Sequence, residues 1–330
     1  MSSSTDLVHM GFDVGGTSVR AALVDRAGRI YGPRIDEPRR GTAVDQLRAL
    51  HTMLVNAATA DGMKIDGAGL CLAGSIDVRT GRVVSAPTAP ELVGLDCHAL
   101  GRDLGVGVMM NDANAALWGE AQHGAATGVR HAVGVFIGTG VGGAVIADGE
   151  PLLGANGVAA EIGHMVIADD GLPCACGGLG CLEQYASGTA LARRYAEMAM
   201  ARGTTSATGV TGEEAAQAAL TGDPTARAAF RELAHRLAGA IATLVNVFNP
   251  EIVIIGGGLA AASSLFLDDL AIDMSRHTMP LAARDLRIAV GALGRFAGVI
   301  GAAAMVRGTQ APPAAASQTS CLMTGSEVSR

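Results

Sequence analysis

The chain has 330 residues, which is long enough for two lobes that each bury a core. Its net charge of −7 argues against a nucleic-acid-binding surface, because phosphate contacts need clustered Lys and Arg side chains. The sequence shows no secretory leader and no apolar run long enough to cross a bilayer. It therefore predicts a cytoplasmic protein without a nucleic-acid or membrane partner.

The first third of the chain has the pattern of an α/β unit. Residues 7–14 (LVHMGFDV) predict a strand, which a glycine turn connects to a second strand at 19–25 (VRAALVD). Apolar residues at helical spacing predict an amphipathic helix over 43–60. Further short strands are predicted in 67–74 (GAGLCLAG) and 106–112 (VGVMMND).

A second strand–glycine–strand unit at 132–150 follows the first by about 125 residues and predicts a duplicated architecture. Residues 225–248 predict a long helix that stops before Asn-Pro, because proline disfavours a helical conformation in the preceding residue. A buried strand is predicted at 251–255 (EIVII). The last segment, 309–330, is rich in Ser, Ala and Pro, and it is predicted to be disordered, as is MSSSTD at the start.

Three glycine turns each follow an apolar strand. Glycine permits positive φ and lets backbone N–H groups approach an anion, so three such turns predict a bound polyphosphate. For any single turn, a tight hairpin without a ligand remains the alternative. The turn residues are Gly15, Gly16 and Thr17, then Gly138, Thr139 and Gly140, then Gly256, Gly257 and Gly258.

Two other nucleotide-binding folds do not fit the pattern. Residues 138–143 (GTGVGG) match G-x-G-x-x-G, but a dinucleotide site needs a helix directly afterwards, and the sequence predicts a strand there. A P-loop needs a lysine, and the only lysine, Lys64, lies in a predicted surface turn. Phosphates must therefore be held by glycine backbone, by the hydroxyls of Thr17 and Thr139, and by a metal ion.

Three of the six cysteines lie within residues 174–183 (CACGGLGCLE). In a reducing compartment such a cluster favours a metal site over a disulfide. Cys174, Cys176 and Cys181 supply one ligand fewer than a four-coordinate site needs. The remaining cysteines are scattered and are predicted to be small buried or incidental residues.

The chain resembles the ROK family (repressors, open reading frames and sugar kinases) over almost its whole length. The resemblance implies an α/β actin-like ATPase (ribonuclease H-like) fold with two lobes around a cleft. One lobe would span 7–118 and be completed by a C-terminal helix at 296–308, and the other would span 119–295. The matching motifs are DVGGTSVRAALVD, NDANAALWGE, IGTGVGGAVI, EIGHMVI, CACGGLGCLEQYASG, NVFNPEIVIIGGG and GRFAGVIGAAAM.

The resemblance also implies a zinc site and a sugar pocket. His164 would be the fourth ligand, giving His-x9-Cys-x-Cys-x4-Cys, which suits a closed, structural tetrahedral Zn²⁺ site. The second ring nitrogen of His164 would donate to a sugar hydroxyl. Glu161 and Glu183 would contact the sugar as well, since carboxylates accept hydrogen bonds from hydroxyl groups.

By the same resemblance, Asp112 would be the catalytic base and Asn111 would bind a neighbouring hydroxyl. The alternative for this pair is helix capping, which Asp and Asn often perform at such a position. Asp13 would act near Mg²⁺ through metal-bound water. The glycine turns would bind ATP, with Gly256, Gly257 and Gly258 facing the adenosine.

The implied function is an ATP-dependent, glucokinase-like sugar kinase that phosphorylates the 6-hydroxyl of a hexose or hexose-like acceptor. Ala73 stands where the family's glucokinases have a proline, and PTAPEL stands where they often have an NLP segment. An aminosugar, an N-acetylhexosamine or a C7-cyclitol is therefore an alternative acceptor. A non-catalytic sugar-sensing protein is the less favoured alternative. The repressors carry an N-terminal helix-turn-helix, whereas the first predicted strand here begins at residue 7. A homodimer is expected from similar proteins.

Overall fold

The computed structural model describes residues 7–87, 89–204 and 209–308. The two segments predicted to be disordered, 1–6 and 309–330, lie outside the described residues. Within the described chain, strands and helices alternate around two sheets, as the sequence predicts.

Twelve strands are present in the described residues. They are β1 (Leu7–Val14), β2 (Ser18–Asp25), β3 (Ile30–Pro38), β4 (Lys64–Leu72), β5 (Ser75–Asp77), β6 (Arg82–Ser85), β7 (Val106–Asn111), β8 (Ala132–Ile137), β9 (Val141–Ala147), β10 (Glu150–Pro151), β11 (Ile252–Gly256) and β12 (Arg287–Val290).

Ten α-helices accompany them in the described residues, together with short 3₁₀ segments such as Pro90–Leu92 and Gly258–Leu265. The helices are α1 (Ala43–Ala60), α2 (Cys97–Leu104), α3 (Asp112–His123), α4 (Glu183–Ala186), α5 (Gly188–Ala201), α6 (Gly212–Leu220), α7 (Pro224–Phe248), α8 (Leu267–Met274), α9 (Pro280–Ala283) and α10 (Ala297–Gly308).

The two large sheets have the same topology. The first has the order β3-β2-β1-β4-β7 and the second has the order β10-β9-β8-β11-β12. In each sheet the central strand pairs antiparallel with the next strand in sequence and parallel with a later one. The duplicated architecture predicted from the repeated glycine turns is therefore confirmed.

Each sheet is covered by a long amphipathic helix. Helix α1 matches the predicted 43–60 and buries Leu47, Leu50 and Leu54 in the core of the first sheet. Helix α7 begins one residue before the predicted 225–248 and contributes Phe230 and other apolar residues to the core of the second sheet. The ring of Phe230 stacks on Phe266 with 6.1 Å between centroids.

The end of α7 is where predicted, but the cause differs. Asn249, the residue before Pro250, has φ 45° and ψ 57° and donates its N–H to the carbonyl of Val245. It is thus a left-handed helix C-cap, which asparagine tolerates better than most residues. From the sequence, the end was predicted because proline disfavours a helical conformation in the residue before it.

Helix α10 returns to the first sheet after the second sheet is complete. It packs across β1 and β4, where Gly11 and Gly69 allow its backbone to come close. A Cβ atom on Gly11 would lie 2.1 Å from the carbonyl oxygen of Val299, and one on Gly69 would lie 2.0 Å from that of Ala302. Neither position accepts a side chain without displacing α10.

Glu120, near the end of α3, ties this helix to the segment that leads from β12 into α10. Its buried carboxylate accepts hydrogen bonds from the N–H groups of Ala125, Ala292 and Leu293 at 2.8–3.0 Å. A buried carboxylate is stable in such a place because several donors compensate for its lost hydration. Sequence reasoning did not identify this residue, since its partners lie far along the chain.

Some strands depart from the sequence expectations. Strand β3 and strand β12, at edges of the two large sheets, and the β5–β6 hairpin were not predicted. Lys64, which was predicted in a surface turn, is the exposed first residue of β4. In the described part of the chain, no helix is both long enough and apolar enough to cross a membrane.

Candidate active site

The carboxyl end of β7 carries the pair predicted to perform the chemistry. Asn111 is the N-cap of α3, and its Oδ1 accepts hydrogen bonds from the N–H groups of Ala113 at 2.9 Å and Asn114 at 3.3 Å. Its Nδ2 donates to the carbonyl of Gly74 at 3.2 Å. Capping is therefore the work of Asn111, and Asp112 is the first residue of the helix.

Asp112 is half-buried and lies near other carboxylates. Burial raises its pKa to about 7, and the negative charges of Asp13 and Glu161 add to the effect. The N–H of Ala113 donates to Oδ1 at 2.8 Å and opposes the shift. A carboxylate with a pKa near neutrality can accept a proton from a hydroxyl group more readily than an ordinary one.

Asp13, near the end of β1, is the neighbouring acid. Its carboxylate is paired with Arg20, with 3.1 Å between Nη1 and Oδ2, and the thiol of Cys71 donates to it. Burial raises the pKa of Asp13 in spite of the arginine. Arg20 also contacts Asp36 on β3 at 3.2 Å.

Sequence reasoning missed Arg20, although a signal was present. Arg20 is the one charged residue inside the otherwise apolar run VRAALV, and a charge in a buried strand needs a partner. The structure supplies Asp13 as that partner.

The histidine and three cysteines predicted to bind zinc lie together. One ligand atom from each of them lies within 4.8 Å of all the others. The sulfurs of Cys176 and Cys181 are 3.6 Å apart, and Nδ1 of His164 lies 3.7 Å from Sγ of Cys174. Tetrahedral zinc with bonds of about 2.0–2.3 Å places its ligand atoms about 3.5–3.8 Å apart, so the donor set fits.

The two predicted sugar-binding glutamates lie near each other, beside this cluster. Glu161 raises the pKa of Asp112 through its charge, and the backbone N–H of His164 donates to its carbonyl. Oε1 of Glu183 lies 3.3 Å from the sulfur of Cys174. A Cβ atom on Gly140 would come within 2.6 Å of Oε2 of Glu183, so the second glycine turn borders the same space.

The glycine turns lie at the ends of strands, but their conformation differs from the expectation. Of the turn glycines, Gly257 alone has positive φ, at 81°, and a Cβ there would also lie 2.5 Å from the carbonyl oxygen of Ile137. At the other turn glycines, positive φ is therefore not the reason for glycine. Gly256 pairs with Phe136 in the register of β11 with β8, which places the third turn beside the second.

Together these groups can perform acid–base chemistry beside the glycine turns. Two carboxylates of raised pKa, Asp13 and Asp112, lie at the ends of β1 and β7, which are separated by β4 in the first sheet. Glu161, Glu183 and His164 add acceptors and a ring nitrogen for a ligand rich in hydroxyl groups. Both sheets therefore contribute residues to one site.

Known proteins match this chain along most of its length. The profile of the ROK family matches residues 9–309. A glucokinase from Streptomyces coelicolor is 34% identical over 311 residues, which cover 90% of this chain and 97% of the relative. A kanosamine kinase from Amycolatopsis mediterranei is 29% identical, with 92% of this chain and 98% of the relative covered.

The fold has a solved counterpart in the same family. The crystal structure of a ROK family glucokinase from Streptomyces griseus in complex with glucose and AMPPNP has a TM-score of 0.79 and 34% sequence identity. The match covers 91% of this chain and 99% of that chain. The present chain belongs to the ROK family and has the actin-like ATPase fold of its sugar kinases.

Proposed function

We propose that this chain transfers the γ-phosphate of ATP to the 6-hydroxyl of a hexose or hexose-like acceptor. That it is an ATP-dependent carbohydrate kinase follows from its family and from relatives that match it over nine-tenths of its length. The observation that carries the mechanism is the carboxylate of Asp112, whose pKa is raised to about 7 beside Asp13.

In this proposal Asp112 accepts the proton of the attacking hydroxyl. Phosphoryl transfer needs little covalent help from the protein, so positioning and charge stabilisation dominate. Asn111 caps α3 with its oxygen, which leaves the second hydrogen of its amide group for a neighbouring hydroxyl of the acceptor. Glu161, His164 and Glu183 orient the remaining hydroxyl groups.

The phosphates of ATP would be held by the glycine turns, with Thr17 and Thr139 as hydroxyl donors and the turn at Gly256, Gly257 and Gly258 facing the adenosine. Asp13 fits Mg²⁺, because a carboxylate oxygen is a hard ligand suited to that ion. When bound, Mg²⁺ neutralises charge on the phosphates. Asp13 would reach it through metal-bound water.

We further propose that His164, Cys174, Cys176 and Cys181 hold a structural Zn²⁺. The four protein ligands close the coordination sphere, so no position remains for a catalytic water. The site would fix the orientation of the His164 ring, whose other nitrogen then donates to the acceptor.

The decisive test is a panel of acceptors incubated with ATP and Mg²⁺, read by ADP release. Glucose, mannose, glucosamine, kanosamine, N-acetylglucosamine and a C7-cyclitol are compared with Asp112→Asn as the matched inactive control. We expect rapid ADP release with at least one acceptor and a product phosphorylated at its primary hydroxyl. Phosphorylation of a ring hydroxyl would overturn the 6-hydroxyl assignment, and binding without ADP release would favour a sugar-sensing protein.

An aminosugar is the second candidate acceptor. The site contains the carboxylates of Asp112, Glu161 and Glu183, and a kanosamine kinase is among the relatives. Clustered negative charge favours a ligand that carries an ammonium group. A lower KM for glucosamine or kanosamine than for glucose would favour this candidate.

Three further expectations belong to the proposal. We propose lobes at 7–118 with 296–308 and at 119–295, a homodimeric assembly and a cytoplasmic location. Light scattering of the purified protein tests the assembly, and limited proteolysis tests the division. Helix α3 extends on both sides of the boundary at 118, so cleavage is expected outside it.

A further inference from the structure

Arg39, the residue after β3, lies against the first glycine turn. Its side chain is 16% exposed. Nη1 donates to the carbonyls of Gly15 at 3.4 Å and Gly16 at 3.2 Å, and the backbone N–H of Arg39 donates to the carbonyl of Thr17 at 2.9 Å. One residue thus contacts three consecutive carbonyl groups of the turn.

These contacts determine where the amides of the turn point. In a trans peptide the C=O of one residue and the N–H of the next point in opposite directions. Because the carbonyls of Gly15 and Gly16 face Arg39, the amides of Gly16 and Thr17 face away from it. Neither amide donates to another group among the described residues. Two neighbouring, unengaged amides on one side of a turn form a concave site for an anion.

The same guanidinium also contacts a segment that the family resemblance predicts to border the acceptor. Its Nη2 pairs with the carboxylate of Glu91, in the 3₁₀ segment Pro90–Leu92. That segment follows the β5–β6 hairpin, and the residue before the hairpin, Gly74, accepts the hydrogen bond from Asn111. Arg39 therefore joins the first glycine turn to the stretch in which this chain departs from glucokinases.

We propose that Arg39 is a positioning residue that aims the amides of Gly16 and Thr17 at the phosphates of ATP, and that its ion pair with Glu91 couples nucleotide binding to acceptor binding. The inference rests on the proposed kinase function and extends it to a residue outside the chemistry. A planar guanidinium holds its donors in a fixed geometry and can bind turn carbonyls and a carboxylate at once, whereas the ammonium group of lysine is a point charge that reproduces this arrangement only in part.

The first test measures nucleotide affinity on the full-length, metal-loaded protein by calorimetric titration with AMPPNP. We expect Arg39→Gln to weaken AMPPNP binding by about tenfold, because two carbonyls lose their donor and the turn loses its orientation. Arg39→Lys should recover only part of the affinity. The matched control is Arg40→Gln, since Arg40 is the exposed neighbour in sequence, and it should bind AMPPNP as the wild type does.

The second test measures coupling. AMPPNP is titrated with and without saturating glucose, or with the best acceptor of the panel if glucose does not bind. In Glu91→Gln the turn contacts of Arg39 remain, so AMPPNP affinity without acceptor should stay within about twofold of the wild type. The factor by which acceptor raises AMPPNP affinity should fall towards one in both Glu91→Gln and Arg39→Gln.

Particular results would overturn the inference. Wild-type AMPPNP affinity in Arg39→Gln, or full coupling in Glu91→Gln, contradicts it. A merely structural role predicts a lower melting temperature with unchanged relative affinities, so thermal unfolding is recorded for each variant. If no acceptor of the panel gives ADP release, the proposed function fails, while the AMPPNP titrations of Arg39→Gln and Arg40→Gln still decide the role of Arg39.

Discussion

At the scale of single residues, one substitution at Asp112 distinguishes a capping role of its carboxylate from a catalytic one. Asn111 supplies the helix cap, so Asp112→Asn does not remove the cap of α3. If Asp112 is the base, the substitution removes the proton acceptor and turnover should fall by about 10²–10⁴-fold. Steady-state kinetics and acceptor affinity on the folded variant provide the measurement. Near-normal turnover would require another base.

The raised pKa of Asp112 also predicts the pH dependence of activity. A base must be deprotonated in the free enzyme, and burial places its pKa at about 7. We therefore expect kcat/KM for the acceptor to rise with pH and to reach half of its plateau near pH 7. A profile that stays flat from about pH 5.5 to about pH 8.5 would argue against this assignment.

The raised pKa of Asp112 also predicts how the stability of the protein changes with pH. Between the ordinary pKa of 3.8 and about 7, folded Asp112 holds a proton that the unfolded chain has released, so the free energy of unfolding falls as pH rises through this window. Asparagine does not titrate. On going from pH 5 to pH 8, the free energy of unfolding of Asp112→Asn should therefore rise by about 2 kcal/mol relative to that of the wild type, which corresponds to several degrees in Tm. Thermal unfolding at both pH values tests this, and a constant difference contradicts it.

At the scale of structural elements, the end of α7 depends on one residue. Asn249 has φ 45°, in the left-handed region, where an alanine is strained and a glycine is not. We expect Asn249→Ala to lower the free energy of unfolding by about 1 kcal/mol and Asn249→Gly to change it by less than about 0.5 kcal/mol. Urea unfolding of the two variants gives the comparison, and equal losses would mean that the left-handed cap does not matter.

The Cys/His loop is the second element with a testable property. We expect about one zinc per chain in freshly purified protein, held by His164 and three cysteines. Cys176→Ser should raise the acceptor KM by about tenfold and the ATP KM far less, since the loop carries the sugar contacts rather than the phosphate turns. Cys97→Ser, outside the cluster, is the control. Substoichiometric zinc in active protein would contradict the assignment.

Helices were easier to predict than edge strands, for a physical reason. The long helices α1 and α7 bury one stripe of apolar residues each, and the 3.6-residue period is visible in the sequence. Strand β3 buries only Ile35 of its nine residues and contains a glycine and two prolines, so neither alternation nor composition marks it. Its position is determined by pairing with β2, which no local pattern reports.

The residues of the site also differ in how easily they could be predicted from the sequence. Asp112 and the Cys/His ligands lie in compact motifs, so the sequence was sufficient to propose them. Arg39 owes its place to Glu91, 52 residues away, and Glu120 owes its place to Leu293, 173 residues away. Such pairings come from tertiary packing and have no signature in a local stretch of sequence.

At the scale of the whole molecule, the first sheet depends on a helix from the far end of the chain. A chain that ends at Leu293 would lack α10 and leave the faces of β1 and β4 beneath it exposed. Hydrogen exchange on this truncated chain should show protected amides in β8 and β11 and unprotected amides in β1 and β4. Equal protection of the two sheets would mean that the first sheet is stable without α10.

The same return of α10 reverses the usual order of events during synthesis. Translation normally lets the amino-terminal part of a protein finish folding first. Here β8 to β12, which form the second sheet, leave the ribosome as one continuous stretch and can close their core early. The first sheet is synthesised earlier, but one of its apolar faces stays exposed until residues 297–308 emerge. The first sheet is therefore synthesised first but completed last. Until α10 emerges, the open apolar face of this sheet is the surface that a chaperone would have to shield.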